Sequence, residues 1–260
     1  MIHEVTTQVK KNVLKLPYEE RFKALQNAYS GKTAYIVSCG PTLNEFDFNK
    51  LRDRLKDELV ICVKQTYDVL SDVCDFHVYN CGNYKNYDYS KNADCISVEC
   101  TSYPQFLNEQ CDLKFFINER NFARSVSIMK NFDDWTLEGQ ERPYGPGIMY
   151  EIVFYLAQYL GVDKLVTIGW DNTLTIDANQ KGFHFYDCKG KENIDQFVTH
   201  NEVDKNLAAF KSLPMEASIT TDCIADFYFW LKSVGVDLQI LSHLNPAPKF
   251  IPRIDIENFI

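Results

Sequence analysis

Short unbroken apolar runs alternate along the chain with stretches of helical spacing. Thr33-Ala34-Tyr35-Ile36-Val37-Ser38, Leu59-Val60-Ile61-Cys62-Val63, Lys164-Leu165-Val166-Thr167-Ile168 and Asp237-Leu238-Gln239-Ile240-Leu241 are such runs. A strand that is apolar at successive positions is covered on both faces, as in a parallel sheet. Asp75-Phe76-His77-Val78-Tyr79, Cys95-Ile96-Ser97-Val98 and Leu113-Lys114-Phe115-Phe116-Ile117 are further strand candidates, joined by loops rich in Asn, Asp and Tyr.

Between the runs the period becomes that of a helix. Phe22, Leu25, Ala28 and Tyr29 predict a lead-in helix over about 18–29, inside an N-terminal segment 1–31 closed by Ser30-Gly31-Lys32. Further helices are predicted over 43–56, over 148–160 with Gly161 as its stop, and over 222–233 with Gly235 as its exit. Strands alternating with helices predict an α/β fold: Rossmann-like, doubly wound, with a mostly parallel sheet and right-handed crossovers. In such folds ligands bind beyond the carboxyl ends of the strands. Two long stretches, about 120–144 and 172–218, break the alternation and are expected as lid loops, and a Pro-containing tail covers 243–260. Residues 1–260 are expected to form one nucleotide-binding domain.

Composition narrows the classes. With 45% hydrophobic and 24% charged residues the chain is globular in character. No apolar run approaches the roughly 20 residues of a bilayer crossing, and Met1-Ile2-His3-Glu4-Val5-Thr6-Thr7 lacks the basic and apolar regions of a secretory signal. A cytoplasmic protein without an integral membrane span is therefore expected. A net charge of −9 opposes broad capture of nucleic acid, while leaving room for a small anion in one local site. Of the nine cysteines, neither Cys74 with Cys81 nor Cys95 with Cys100 has zinc-site spacing. Reduced structural thiols, with neither metal nor cofactor, are the expectation.

The chemistry gathers at strand ends. The first strand runs into Ser38-Cys39-Gly40-Pro41-Thr42, where Gly40 permits close backbone approach, Pro41 suits the first position of a helix, and Thr42 adds a hydroxyl. This turn is neither GxGxxG nor a P-loop, and a purely structural turn would look similar. Tyr144-Gly145-Pro146-Gly147 precedes the helix from Ile148, whose N-terminal N–H groups suit a phosphate or carboxylate, although a hinge is the plainer reading. Asp171 ends a buried strand, at a position expected to face solvent and to accept hydrogen bonds from ribose or sugar hydroxyls. Asn80 suits either base recognition or an Asx turn. Gly182-Phe183-His184-Phe185-Tyr186-Asp187 is the loop richest in reactive side chains, with closure of the core as its structural alternative.

Gly31 to Leu43, with its strand and Gly-Pro-Thr turn, resembles the opening of the bacterial sialyltransferases of glycosyltransferase family 42 and of the related DUF115 (MptE-like, Maf-type) proteins. The likeness continues in order. Phe76-His77-Val78-Tyr79-Asn80 resembles a strand ending in a nucleotide-contacting Asn, and Pro143 to Gly161 a small-residue turn opening a long helix. Leu165 to Asp171 resembles the strand ending in Gly-x-Asp, and Asp222 to Leu241 the last helix and strand. The resemblance implies an inverting, metal-independent transfer of a sialic-acid-like or Kdo-like sugar from a CMP donor to a glycan or other hydroxyl acceptor. Oligomeric state is left open, a homo-oligomer included.

Two departures from that family bear on mechanism. Thr173 falls where the sialyltransferases have one leaving-group tyrosine, and His184 near the second, so that His184 or Tyr186 is left to donate to the departing phosphate. Met215 to Asp222 contains no His where the family has its general base. His184, His200 or the carboxylate Asp187 would have to supply it. The MptE-like branch implies a different reaction, ATP-dependent diphosphate transfer to a pterin alcohol, with Mg²⁺ on acidic groups such as Asp171 and Asp187. A non-catalytic nucleotide-binding module is the third reading.

Overall fold

The computed structural model describes residues 2–80, 87–101, 111–122, 131–144, 147–172, 184–187, 218 and 221–260. Its strands are β1 Thr33–Val37, β2 Leu59–Val63, β3 Phe76–Tyr79, β4 Ile96–Thr101, β5 Leu113–Phe122, β6 Glu141–Tyr144, β7 Lys164–Ile168 and β8 Asp237–Ile240. They form one eight-stranded sheet in the order β6-β5-β4-β3-β2-β1-β7-β8. Every neighbouring pair is parallel. The fold is α/β and Rossmann-like, and the sheet is parallel throughout rather than mostly so.

Residue parity explains the unbroken apolar runs. Ala34 and Ile36 of β1, with Leu59, Ile61 and Val63 of β2, face one core. Tyr35 and Val37, with Val60 and Cys62, face the other. The first core is covered by α1 (Ile2–Lys15), by α4 (Phe154–Tyr159) and by α5 over 221–233. The second is covered by α2 (Phe48–Leu55) and α3 (Thr66–Leu70), and Phe259 of the short terminal α6 (Ile256–Phe259) joins it. The chain winds outward from β1 to β6, then crosses back to lay β7 on the other side of β1. The winding therefore reverses between β1 and β7, the switch point at which the loops leaving adjacent strands part to opposite faces.

Several predicted boundaries move. The lead-in helix is α1, whose buried Ile2, Thr6, Val9 and Val13 keep helical spacing, whereas Tyr18–Leu25 beyond Pro17 is a 3₁₀ helix. The helix expected over 43–56 is two pieces, the 3₁₀ turn Pro41–Glu45 and α2, because the Asp47 carboxylate accepts from the N–H groups of Asn49 (2.8 Å) and Lys50 (3.3 Å) and so starts a new helix. Within the stretch expected as a lid over 120–144, β5 extends to Phe122 and Glu141–Tyr144 is the edge strand β6. Charges and a proline hide β6 from a search for apolar runs, and an edge strand tolerates both. Of the lid expected over 172–218, only 184–187 and 218 beyond Asn172 are among the described residues. No helix among the described residues is long and apolar enough to cross a membrane.

Arg142 joins β6 to the helix that follows. Its buried guanidinium donates to the carbonyls of Glu151 (2.7 Å), Thr136 (3.2 Å) and Trp135, and lies 5.2 Å from the centre of the Tyr155 ring. The Glu151 carbonyl that receives Nε sits in a π turn, Met149–Val153, where the Phe154 N–H reaches back to the Met149 carbonyl. A side chain on the carbonyl ladder at a helix's first turn is a recognised cause of such widening.

Candidate functional site

The carboxyl ends of β1 and β7 are laced together. Ser38 N–H donates to the Ile168 carbonyl (2.8 Å) and Gly40 N–H to the Gly169 carbonyl (2.8 Å). Thr42 N–H donates to Asp171 Oδ2 (2.8 Å) and the Thr42 hydroxyl to Asp171 Oδ1, which also accepts from the Ser242 hydroxyl beyond β8. Asp171 is only 3% exposed. This corrects the expectation of a solvent-facing carboxylate: both oxygens are engaged inside the protein, tying three strand ends together. It also corrects the reading of Thr42, whose hydroxyl and N–H are committed to Asp171.

Gly40 is required for a different reason from the one expected. A Cβ there would lie 2.5 Å from an Asp171 carboxylate oxygen and closer still to the Gly169 carbonyl. Its missing side chain makes room for β7. Pro41 does occupy the first position of the 3₁₀ turn, as expected.

Two other segments meet this turn. The Ser38 hydroxyl donates to Met149 Sδ (3.3 Å), bringing the start of the 148–160 helix beside β1. Phe185 N–H donates to the Cys39 carbonyl (2.8 Å), and Asn44 Nδ2 to the Phe185 carbonyl (3.0 Å). The short 3₁₀ helix Phe185–Asp187 is thereby held on the β1 turn, with the partly exposed His184 ring stacked on the buried Tyr186 ring at 4.9 Å and 6°. Gly147 adopts φ 130° and its carbonyl receives both Tyr150 and Glu151 N–H at 3.0 Å, so the helix entry needs glycine. Tyr144 ends β6, while Gly145, Thr173 and His200 lie outside the described residues.

Further groups at the same edge carry no motif. Cys39 is buried, its thiol donating to the Val63 carbonyl (3.2 Å), and burial pushes that thiol up to about 12, against the opposing charge of Lys64. It is a packed thiol rather than a nucleophile. The seven described cysteines are all buried and unbridged. Asn80, just past β3, is partly buried, and its Oδ1 has no hydrogen-bond partner among the described residues. The exposed His243 ring lies 3.5 Å from the Glu45 carboxylate, whose pKa is raised by burial and by Asp171 and lowered by His243. Ser242 and His243, just beyond β8, and Glu45, at the end of the 3₁₀ turn, are ordinary polar residues that carry no sequence signal beyond their place. Among the described residues no group of three metal-ligating side chains comes together.

No protein-family model matches the chain, and no curated protein matches it.

Proposed function

We propose that the chain is a glycosyltransferase that moves a nonulosonic-acid or Kdo-like sugar from a CMP donor to an acceptor hydroxyl, with inversion and without a metal. The observation that carries this reading is the bond from Phe185 N–H to the Cys39 carbonyl, 2.8 Å, which stations an imidazole-bearing segment on the β1 turn at the switch point. A nucleotide lying along the carboxyl edge of the sheet presents its sugar to that segment. The acceptor oxygen attacks the anomeric carbon from the face opposite the phosphate. The bond from that carbon to the phosphate oxygen breaks, its electron pair leaves with CMP, and the hydroxyl proton passes to a base. His184, partly exposed beside the turn, is the base in this reading, and the Tyr186 ring stacked on it holds its orientation. Asp171 has a positioning part only, since its oxygens bind Thr42 and Ser242.

The test is a thermal-shift panel of CMP, UDP, GDP and ATP, with and without Mg²⁺, followed by measurement of CMP release from a CMP-linked sugar acid in the presence of hydroxyl acceptors. A ligand that binds the folded state raises its apparent stability by mass action. Stabilisation by CMP that survives EDTA, with acceptor-dependent CMP release, is the expected result. Stabilisation by ATP that requires Mg²⁺, with no response to CMP, would overturn it in favour of diphosphate transfer.

A further inference from the structure

The backbone donors that the turn after β1 offers to a phosphate are largely committed. Those of Ser38, Gly40 and Thr42 go to Ile168, Gly169 and Asp171. A phosphate resting here therefore needs a side-chain cation.

A cation stands beside the turn. Lys64 is the first residue after β2, the strand that pairs with β1 on the side away from β7. Thr66 binds the two strand ends together, its hydroxyl donating to the carbonyls of Val37 (3.1 Å) and Val63 (3.0 Å), and the Cys39 thiol adds its bond to Val63. Lys64 is partly buried and its ammonium has no acidic partner among the described residues. In a chain of net charge −9 a cation with no acidic partner among the described residues is conspicuous at the ligand-binding edge.

The fold also invests in holding this residue in an uncommon conformation. Lys64 has φ 55°, in the left-handed region that non-glycine residues adopt at a cost. Its N–H donates to the Val78 carbonyl (2.8 Å), and its carbonyl lies 2.9 Å from Nε2 of His77. A carbonyl can only accept, so Nε2 carries the hydrogen. Nδ1 of that ring meets the Tyr89 hydroxyl at 2.7 Å, and the ring is fully buried and stacked on Tyr67 at 4.5 Å. Two residues beyond Val78 stands Asn80, with its unpartnered buried Oδ1. A buried acceptor of that kind is costly unless something binds it.

We propose that Lys64 is the phosphate anchor of this site, pairing its ammonium with a nucleotide phosphate laid across the carboxyl ends of β1 and β2. The proposal deepens the glycosyltransferase reading and rests on it only for the identity of the base. In doubly wound folds the end of β2 is also where a ribose 2′ substituent is read, so the phosphate can belong to the 5′ or the 2′ position.

The experiment measures Kd by calorimetry for 5′-CMP, 5′-UMP and 2′-AMP, each against its nucleoside, in the wild type and in Lys64→Asn and Lys64→Arg. Asn is at home in the left-handed region, so the first variant removes the charge and keeps the backbone; Arg keeps the charge. Unchanged circular dichroism confirms folding. The expected result is that wild type prefers the phosphate form by about 10–100-fold, that Lys64→Asn abolishes most of this preference, and that Lys64→Arg retains it. Which of the three ligands shows the preference identifies the phosphate. A loss shared by CMP and UMP upholds the anchor, and a wild type that binds CMP and UMP equally well overturns the CMP-specific reading. A CMP preference that survives in Lys64→Asn overturns the anchor and leaves that reading standing. A wild type that does not distinguish any phosphate from its nucleoside also overturns the anchor.

Discussion

Thr42 gives both its backbone N–H and its hydroxyl to the single buried carboxylate of Asp171, across 129 residues of sequence. Through Ser242 the same carboxylate reaches the end of β8. One carboxylate therefore joins the ends of β1, β7 and β8, in addition to the backbone bonds that lace β1 to β7.

Replacing that carboxylate tests the junction. Asp171→Asn keeps the shape but turns one acceptor oxygen into a donor facing hydroxyls and an N–H. Hydrogen bonds to a charged group are worth about 1.5–3 kcal/mol each, and a loss of that order is expected in chemical denaturation. Nucleotide affinity measured below the transition should change less than stability. Wild-type stability in this variant would return Asp171 to the role of a ligand-facing group.

Gly40→Ala should be disruptive and Gly139→Ala should not. The added methyl at Gly40 meets the Gly169 carbonyl and the Asp171 carboxylate, while at Gly139 it meets nothing within 4 Å. Overpacking of this kind costs about 1–3 kcal/mol. Comparing the two unfolding midpoints separates a local clash from a general effect of losing glycine.

The N-terminal helix carries a pH-dependent tether. His3 Nδ1 lies 3.3 Å from Asp75 Oδ1, which also accepts from the Thr6 hydroxyl at 2.5 Å, while Asp75 Oδ2 accepts from Val60 N–H at 2.9 Å. The hydrogen bond to Asp75 raises the His3 pKa above its ordinary 6.5, against partial desolvation. A raised folded-state pKa contributes stability that is fully present below the unfolded value and is lost as pH rises through the folded one. The stability advantage of wild type over His3→Gln should therefore be greatest below pH 6.5 and vanish at higher pH. Thermal melts of both proteins from pH 5.5 to 9 read it directly, and a difference independent of pH would refute the tether.

Turnover tests the assignment of the base. His184→Gln should reduce acceptor-dependent CMP release by about 10²–10⁴-fold, the contribution of a general base. Binding of CMP, remote from the proton, should persist. If turnover is retained, the base is another group, and Asp187 and His200 are the next variants to make.

Strands β2 and β7 were legible to the residue, because an apolar run covered on both faces is a local signal bounded by local turn residues. Local chemistry likewise marked Gly40-Pro41-Thr42 as a turn at a strand end. What it could not convey was which neighbour required the glycine. β6 escaped notice because an edge strand needs no apolar run, and Arg142 finds its carbonyl partners only once β6 lies beside the helix. Nothing local in the sequence sets Lys64 apart from other lysines; its left-handed backbone and its place next to β1 are tertiary features.

The amino-acid sequence by itself determined that this chain forms a parallel α/β sheet with its polar chemistry at the strand ends, since periodicity and turn residues act over a few positions. The insertion of β7 beside β1, the burial of Asp171 and its bonds to Thr42 and Ser242 were decided only by the tertiary structure. Those relationships join residues many positions apart, and a contact of that kind leaves no pattern in either of the segments it joins.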